Sequence, residues 1–530
     1  MANRNIFSST RITNAPPTNT VNEAGGTAYQ FSDEHALAQY AVTGCLNGTF
    51  YATAETQLAK VLELAGKVSP RFLAQVAVYA REKGLMKDMP ALLLAILSNR
   101  DIELTKAVFP RVCDDAKMVK NFVQIIRSGQ TGRKSLGTAL KRLVQDWLAS
   151  RTEEQLFKAV VGNDPSLADI IKMVHPKPKN RARGAFYKYL IGKELTDTQF
   201  ANLPDNVKAY EKFKKKPGKK VPEVPFMLLT NLKLDKDQYR QVAEDMSWSA
   251  LRQNLNALSK HGIFEDKTFA RSIANKLADP EQVRRSKALP FQLFSAYQAT
   301  QSNPNVPAVI ANALQDAAEV ALSNVPELDG DVVVAVDNSG SMSSPATGTR
   351  GSATSSISCL DAAAVMGSAL LRRNPDKVEL LAFNTVVLRD KFNGKDSLVT
   401  NTEKLKRLPG GGTDCSVVLR DLNARGVKGV SAVIYLSDNE SWVDSVNTGY
   451  GRQGRGTATI REWNEFKKRN PKAKLVCIDI QPYGTTQAQE RPDILNVGGF
   501  SDSVFQVVDL FLKNDLTSDH WVGTIKNIDI

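Results

Sequence analysis

The sequence has few of the cysteines that usually cross-link a small secreted domain and few of the histidines that build a histidine-based catalytic centre. It contains five cysteines and four histidines among 530 residues. The cysteines are odd in number, widely scattered and never arranged as a CxxC pair. These absences argue against a disulfide framework, a cysteine zinc site and a histidine-based hydrolase. They indicate a protein suited to a reducing compartment.

Long apolar runs are missing as well. The longest, ALLLAIL at 91–97, is too short to span a bilayer, and the N-terminal stretch has no apolar core of a secretory signal. We therefore expect a cytoplasmic protein that does not contact a membrane. Because 530 residues exceed what one hydrophobic core accommodates, we expect two or more domains.

Charge is unevenly distributed along the chain. Residues 1–300 contain 45 Lys and Arg against 29 Asp and Glu, a net charge of +16, whereas residues 301–530 carry a net charge of −3. A basic half attracts phosphate backbones, because each phosphate contact releases condensed counterions. The alternative is an ordinary basic protein with no nucleic-acid partner.

Hydrophobic periodicity changes at the same place. Apolar residues recur at helical spacing in 70–84, 136–150 and 249–262, with short Gly, Pro or Asn breaks. No exact repeat is present, so a solenoid of paired helices would be a degenerate one. The pattern predicts a flexible segment over 1–30, a helical-repeat domain over 31–325 and a third unit over 326–530.

The third unit alternates near-continuous apolar strands with helices. The strands DVVVAVD, KVELLAFN, GVSAVIYLSD and KAKLVCIDI are separated by helical segments. This pattern is typical of a doubly wound α/β domain with a parallel sheet covered on both faces. Ligands of such domains bind where the strands end.

Oxygen-bearing side chains follow these strand ends. Asp337, Ser339 and Ser341 come directly after the first strand, Thr413 follows a glycine-rich turn, and Asp438 ends another strand. Two carboxylates and three hydroxyls are hard donors suited to Mg²⁺ or Mn²⁺, with water or a partner's acidic group in the open position. A DxSxS motif alone is more often a helix cap. Asp414 and Glu440 are alternative carboxylates, the former also a candidate cap.

A dense basic stretch marks the helical part. It contains two interleaved tyrosines, Tyr187 and Tyr189, and could neutralise phosphates while stacking unpaired bases. The alternative is a solvated loop. A second lysine run at 211–220, EKFKKKPGKK, is expected to be a mobile loop with nonspecific RNA affinity at most. The basic residues of the first stretch are Lys172, His175, Lys177, Lys179, Arg181, Arg183, Lys188 and Lys193.

Both parts resemble a known family. The five oxygen donors resemble the metal-ion-dependent adhesion site of a von Willebrand factor A domain. GTFY at 48–51, TALKRLVQDWL at 138–148, HPKP at 175–178 and ALRQNLNALSKHG at 250–262 are similar to segments of the TROVE domain of Ro ribonucleoproteins. The order agrees with bacterial Ro proteins of the Rsr type.

The resemblance implies a fold and a function. It implies a monomeric ring of HEAT-like helical pairs closed by the A domain. It also implies a non-enzymatic protein that binds Y RNA on a basic outer surface and takes single-stranded ends of misfolded or precursor noncoding RNAs into a central hole. That activity belongs to RNA quality control and maturation. Exoribonucleases and an acidic protein ligand at the metal site are further partners to consider.

The resemblance also assigns RNA contacts. The family's His-x-Lys-Pro segment corresponds to His175, Lys177 and Pro178, and its preceding basic helix corresponds to Lys141 and Arg142. Pro176 departs from the family pattern, which leaves the role of His175 open.

Two other function classes compete with RNA binding. An A domain alone would suit an adhesion-type scaffold for acidic protein ligands. A metal-dependent nuclease is disfavoured, since Asp337 and Asp438 supply too few bridging carboxylates and no paired base.

Overall fold

The computed structural model describes residues 15–44, 46, 49–162, 165–288, 290–346, 357–443, 456–516 and 519–530. It consists of a helical region followed by an α/β domain built on a mostly parallel sheet. Within these described ranges, no helix combines the length and the hydrophobicity required to cross a membrane.

The helical region is a succession of mostly short helices after two small strands. The strands are Thr20–Val21 (β1) and Thr27–Gln30 (β2). The helices are Asp33–Thr43 (α1), Ala54–Lys67 (α2), Pro70–Glu82 (α3), Asp88–Arg100 (α4), Ile102–Val112 (α5), Ala116–Arg127 (α6), Gly137–Ser150 (α7), Glu153–Lys158 (α8), Leu167–Val174 (α9), Arg181–Leu190 (α10), Asp197–Ala201 (α11), Asp205–Lys215 (α12), Phe226–Leu229 (α13), Lys236–Asp245 (α14), Trp248–Ser259 (α15), Lys267–Ala278 (α16), Pro280–Ser286 (α17), Pro290–Gln301 (α18) and Ala308–Ala321 (α19).

Local sequence explains these boundaries. The Ser69 hydroxyl accepts the amide of Phe72 and Pro70 occupies the first turn of α3, while Thr152 and Gln155 form a reciprocal capping box at α8. The apolar run 91–97 lies in α4, which is buried on nearly every side. The helices predicted within 70–84, 136–150 and 249–262 are confirmed as α3, α7 and α15.

The α/β domain contains a six-stranded sheet. Its strands are Asp331–Asp337 (β3), Val378–Phe383 (β4), Val387–Leu388 (β5), Val430–Ser437 (β6), Lys474–Asp479 (β7) and Ile494–Gly498 (β9), ordered β5-β4-β3-β6-β7-β9. All neighbours run parallel except the short edge strand β5, which turns back antiparallel on β4. The sheet is therefore mixed, whereas the strand pattern predicted a parallel one.

Helices cover both faces of this sheet. They are Cys359–Arg373 (α20), Leu398–Lys406 (α21), Ser416–Ala424 (α22), Ala458–Arg469 (α23), Asp502–Leu512 (α24) and His520–Lys526 (α25). Val332, Val334 and Val336 join one core with α20 and α24, while Val333 and Ala335 join a second core on the opposite face. At Gly367 on α20, an added Cβ would lie 2.7 Å from Val336, so only glycine allows this close approach.

The two ends of the chain hold the regions together. Strand β2 pairs with Thr485–Thr486 (β8) of the α/β domain, so part of the segment predicted to be flexible is in a sheet. Residues 1–14 of that segment lie outside the described residues. At the other end, the Trp521 indole of α25 donates to the Tyr79 hydroxyl of α3 at 3.0 Å.

A second contact joins early and late helices through the α/β domain. The Phe291 ring of α18 packs edge-on against Phe500 at a centroid distance of 5.1 Å. Next to it, the Ser501 hydroxyl donates to the carbonyl oxygen of Lys83 after α3, at 3.0 Å. Residues 500–501 therefore bridge the beginning and the end of the helical region.

Candidate nucleic-acid interface and metal centre

The five predicted metal ligands lie together at one edge of the sheet. Asp337 ends β3, Ser339 and Ser341 lie in the following loop, and Asp438 follows β6, the strand beside β3. Thr413 reaches the same edge from the loop before α22, and all five residues are buried. Parallel neighbours end at the same edge, which is why residues 100 positions apart in the chain meet here.

Hydrogen bonds fix the orientation of these side chains. The Ser339 amide donates to Asp337 Oδ1 at 2.8 Å, and the Ser437 hydroxyl donates to Asp337 Oδ2 at 2.6 Å. The hydroxyls of Ser339 and Ser341 are 3.2 Å apart. The Gly340 amide donates to the Gly411 carbonyl at 2.9 Å, which ties the serine loop to the loop that carries Thr413.

The site holds buried carboxyl groups without a matching cation. Burial raises the pKa of Asp337, and burial together with the Asp337 carboxylate raises the pKa of Asp438. Burial and then Asp438 raise the pKa of both Glu440 and Asp479. Among the described residues, none of these four carboxylates is within ion-pair distance of a lysine or arginine.

Two oxygen atoms remain without a partner. Asp438 Oδ2 and Glu440 Oε1 are buried and accept no hydrogen bond from the described residues. Asp479, by contrast, accepts from the side-chain amides of Asn439 and Gln39. No three His, Cys, Asp or Glu side chains of the described chain are arranged to hold a metal by themselves, so an ion here would need further oxygen donors, such as hydroxyl groups, carbonyl groups or water.

The alternative carboxylate Asp414 serves another purpose. Its Oδ1 accepts both the amide of Ser416, at 2.9 Å, and the Ser416 hydroxyl, at 2.6 Å, at the start of α22. Its Oδ2 lies 3.3 Å from Arg420. Asp414 therefore binds the first residue of α22 from the position before the N-cap residue Cys415, which is close to the capping role that the sequence suggested.

Sequence reasoning missed a contribution from the helical region. Tyr51 hydrogen-bonds Ser341, and its ring contacts Tyr483 at a centroid distance of 6.0 Å. Burial, with the nearby Asp438 and Glu440 carboxylates, raises the pKa of Tyr51 to about 12. The GTFY segment was noticed only as a family resemblance, and nothing in its sequence indicated contact with the α/β domain; Gly48 lies outside the described residues.

The predicted RNA-contacting residues gather on neighbouring elements. Lys141 and Arg142 lie on α7, and the Gln145 amide on the next turn donates to the Val174 carbonyl at the end of α9, at 2.5 Å. This bond places α7 beside the loop that begins at His175. The set called here the basic surface is partly or fully exposed and comprises Lys141, Arg142, Lys172, His175, Lys177, Lys179 and Arg181.

Within the described residues, none of these seven side chains forms a hydrogen bond or an ion pair within 4.0 Å, although Lys172 lies near enough to Asp169 to help lower the pKa of that carboxyl group. Cations elsewhere in the helical region commonly form ion pairs: Arg81 pairs with Asp114 at 2.8 Å, and Arg111 pairs with Glu82 at 2.7 Å. The basic surface therefore leaves its positive charge available to solvent or to a polyanion.

His175 has an unusual backbone conformation. It ends α9 in the left-handed region, with φ 50° and ψ 61°, and its side chain is exposed. Left-handed residues commonly end helices, although glycine is the usual choice. Since Pro176 disfavours the right-handed helical region for the residue before it, the departure from the family pattern coincides with this local turn.

Three aromatic and basic residues of the stretch need correction. Arg183 is only 5 % exposed; its guanidinium lies 3.2 Å from Glu153 and donates to the Arg151 carbonyl at 2.5 Å. Tyr187 is buried under Arg183, and the Tyr189 hydroxyl donates to Glu211 at 2.8 Å. These contacts argue against the predicted RNA contact of Arg183 and the predicted base stacking by Tyr187, whose side chains are buried, while Tyr189 is half-buried.

Family models match both regions. The model of the Ro60 vWA domain matches residues 331–512, and the model of the TROVE domain matches residues 239–305. These matches confirm the resemblance noted from the adhesion-site motif and the TROVE-like segments.

Individual relatives extend the match over nearly the whole chain. The Deinococcus radiodurans protein named RNA-binding protein RO60 is 24 % identical over 93 % of this chain and 95 % of its own length. A Caenorhabditis elegans protein of the same name is 24 % identical over 51 % of this chain and 41 % of its own.

A solved structure shares the fold. The crystal structure of the Deinococcus radiodurans RO (RSR) protein superposes with a TM-score of 0.60 at 21 % identity, covering 92 % of this chain and 100 % of that one. Residues 239–305 of the helical region therefore match the TROVE model, the following domain matches the Ro60 vWA model, and the chain shares its fold with that crystal structure.

Proposed function

We propose that the chain is an RNA-binding protein of the Ro type. The observation that carries this proposal is the basic surface, whose exposed cations form no ion pair within 4.0 Å among the described residues. Phosphates can replace solvent there without breaking existing ion pairs, and binding releases counterions from the RNA. The relatives named RNA-binding protein RO60 support the same function.

We further propose two classes of RNA. A structured Y-type RNA binds the basic surface through its phosphates, and a misfolded or precursor noncoding RNA presents a single-stranded end to a central hole, in RNA quality control and maturation. The contacts of Phe500 with Phe291 and of Ser501 with Lys83 support a closed ring, since they join both ends of the helical region. The chain itself performs no catalysis in this proposal, and exoribonucleases would act as separate partners.

A salt titration tests the basic surface. Replacing Lys141, Arg142, Lys177 and Lys179 by alanine should weaken binding of a Y-type RNA and flatten log Kd against log salt by about 0.7–0.9 per lost phosphate contact. A matched control replaces four exposed lysines on other surfaces and alters net charge equally. Those lysines are Lys83, Lys117, Lys267 and Lys428. If both variants show the same slope, the basic surface is not the RNA site.

A second comparison separates the two RNA classes. A structured RNA with a free 3′ tail should bind better than the same RNA with a blunt end, because unpaired bases can enter and stack where a duplex cannot. The basic-surface variant should weaken the Y-type RNA more than the tailed RNA. Equal losses would mean that both RNAs share one site.

We also propose that Asp337, Ser339, Ser341, Thr413 and Asp438 hold Mg²⁺ or Mn²⁺. The donor set fits a hard divalent ion, which would offset the charge of the buried carboxylates. The otherwise unpartnered Asp438 Oδ2 would be one of its ligands. When bound, the ion would supply an open coordination position for an acidic side chain of a partner protein. The loop that carries Ser339 and Ser341 and the loop that carries Thr413 would set the direction in which that position opens.

Calorimetric titration with Mg²⁺ and Mn²⁺ tests the metal site. Asp337→Ala should lose metal binding and keep RNA binding, since the basic surface lies on separate helices. Asp376→Ala, an exposed carboxylate of the same domain, is the control. Normal metal binding by Asp337→Ala would show that the ligands are misassigned, and loss of RNA binding with it would refute the separation of the two sites.

A further inference from the structure

The lysine run after α12 is held in place by the neighbouring helix. Helix α12 ends at Lys215, and the segment 216–220, KPGKK, called here the lysine loop, is exposed throughout. The Gln238 amide donates to the Gly218 carbonyl at 2.8 Å, and the Gln241 amide donates to the Lys219 carbonyl at 2.9 Å. Gln241 Oε1 also accepts the amide of Val221 at 3.2 Å. These bonds position the backbone of a segment that the sequence predicted to be mobile.

The lysines of this run divide into two groups. Lys214 pairs with Glu211 at 3.1 Å and lies over the Tyr210 ring, and the cations of the last helical turn favourably oppose the helix dipole. Lys216, Lys219 and Lys220 lie beyond that turn. None of these three side chains has a hydrogen-bond or ion-pair partner among the described residues, so none of them stabilises the fold through such a contact.

Their chemistry favours a phosphate backbone over bases. The lysine loop contains no aromatic ring and no side-chain amide that could read a base, and the nearby Tyr210 ring is covered by Lys214. Lysine acts on phosphate as a point charge, and a loop that is already held by three hydrogen bonds loses little conformational entropy on binding.

The lysine loop also adjoins the helix that follows the basic surface. Tyr189 of α10 donates to Glu211 of α12, one turn before the loop, and Phe157 contacts Tyr210 at a ring distance of 5.9 Å. Helix α10 therefore runs from Arg181, a member of the basic surface, to a contact with the helix that precedes the lysine loop.

We propose that Lys216, Lys219 and Lys220 form a second phosphate-contacting surface, for the backbone of a duplex stem in the bound RNA. This inference rests on the proposed RNA-binding function. Duplexes carry a denser phosphate charge than single strands, so they gain more from three ammonium groups on one short segment.

The test is a salt titration with two probes, a blunt hairpin RNA and an unstructured single strand. Alanine at Lys216, Lys219 and Lys220 should reduce the slope of log Kd against log salt for the hairpin by about 0.9 per lost contact and leave the single strand nearly unchanged. The control replaces Lys83, Lys267 and Lys428, which removes the same charge elsewhere. Equal slopes for the two variants on the hairpin would overturn the proposal.

A charge-neutral variant tests the role of the fixed conformation. Gln241→Ala removes two of the three hydrogen bonds to the segment and keeps every lysine. It should weaken hairpin binding about threefold with an unchanged salt slope, because the loop must then be ordered on binding. A hairpin affinity equal to that of the original chain would overturn the claim that the fixed loop binds the stem. If the original chain binds neither probe, the proposed RNA-binding function itself is wrong. That outcome differs from the two above, in which the original chain binds the hairpin.

Discussion

Buried charges in the helical region and in the α/β domain have opposite signs. Among the described residues, the buried lysine and arginine side chains are Lys120 and Arg183, both in the helical region, whereas the buried carboxylates all lie in the α/β domain. Lys120 Nζ donates to the carbonyls of Ala159, Val161 and Gly162, and Arg183 contacts Glu153. These cations are compensated by the protein itself.

The buried carboxylates fall into two groups. Asp361 pairs with Lys406 at 2.9 Å, and Asp414 pairs with Arg420, so both are compensated. Asp337, Asp438, Glu440 and Asp479 have no lysine or arginine partner among the described residues. A buried charge that folding pairs is structural, and one that folding leaves unpaired is neutralised either by a proton or by a bound cation. A similar contrast holds at the surface, where Arg81 and Arg111 are paired and the basic surface is not.

We expect the largest effect on stability from a metal ion bound by the buried carboxylates that lack a cationic partner. Mg²⁺ at about 100 times its Kd should raise the free energy of unfolding by about 2.7 kcal/mol relative to EDTA, because the ion binds only the folded chain. Asp337→Ala should abolish this gain, and Asp376→Ala should retain it. Thermal melts with and without metal measure both. If metal stabilised Asp337→Ala as much as the original chain, the carboxylates without a cationic partner would not differ from the paired ones in binding the ion.

Removal of the compensated lysine should destabilise the helical region. Lys120→Met keeps most of the side-chain volume but leaves three carbonyl oxygens without their donor, so we expect a loss of about 2 kcal/mol in denaturant melts. Lys117→Met, at an exposed position on the same helix, should change stability by less than about 0.5 kcal/mol. Similar stabilities for the two variants would mean that the Lys120 bonds contribute nothing net.

The two neighbouring arginines should separate stability from RNA binding. Arg183→Ala should cost about 1–2 kcal/mol, since a buried guanidinium with two protein partners is lost. Arg181→Ala should leave stability within about 0.5 kcal/mol but lower the RNA salt slope. The opposite assignment of the two effects would contradict the burial of Arg183.

The smallest effect is expected at His175. His175→Gly should raise stability by about 0.5–1 kcal/mol, because glycine adopts φ 50° without the steric cost of a Cβ. His175→Ala keeps that cost and serves as the control in the same melts. If His175→Gly is no more stable than His175→Ala, the left-handed turn is not strained. RNA titrations of the same two variants report whether the imidazole contributes to binding.

Much of the candidate metal site could be predicted from local sequence. Asp337, Ser339 and Ser341 follow an apolar strand, and Asp438 follows another, so the parallel arrangement of β3 and β6 brings them to one edge. The strand β5 and the contact of Tyr51 with Ser341 could not be predicted in this way. Strand β5 is two residues long, and the tyrosine comes from a part of the chain whose position depends on how the helical region folds back.

The sequence by itself determined the helical and α/β halves, the strand-end oxygen donors and the excess of positive charge before residue 300, because these depend on periodicity and composition within short segments. Only the tertiary structure decided which charges are compensated. Arg181 and Arg183 are two positions apart in one basic stretch, yet one is exposed and the other is buried against Glu153. Likewise, Gln238 and Gln241 hold a lysine loop that composition alone marks as mobile, because the glutamines that bind it lie some 20 residues further along the chain.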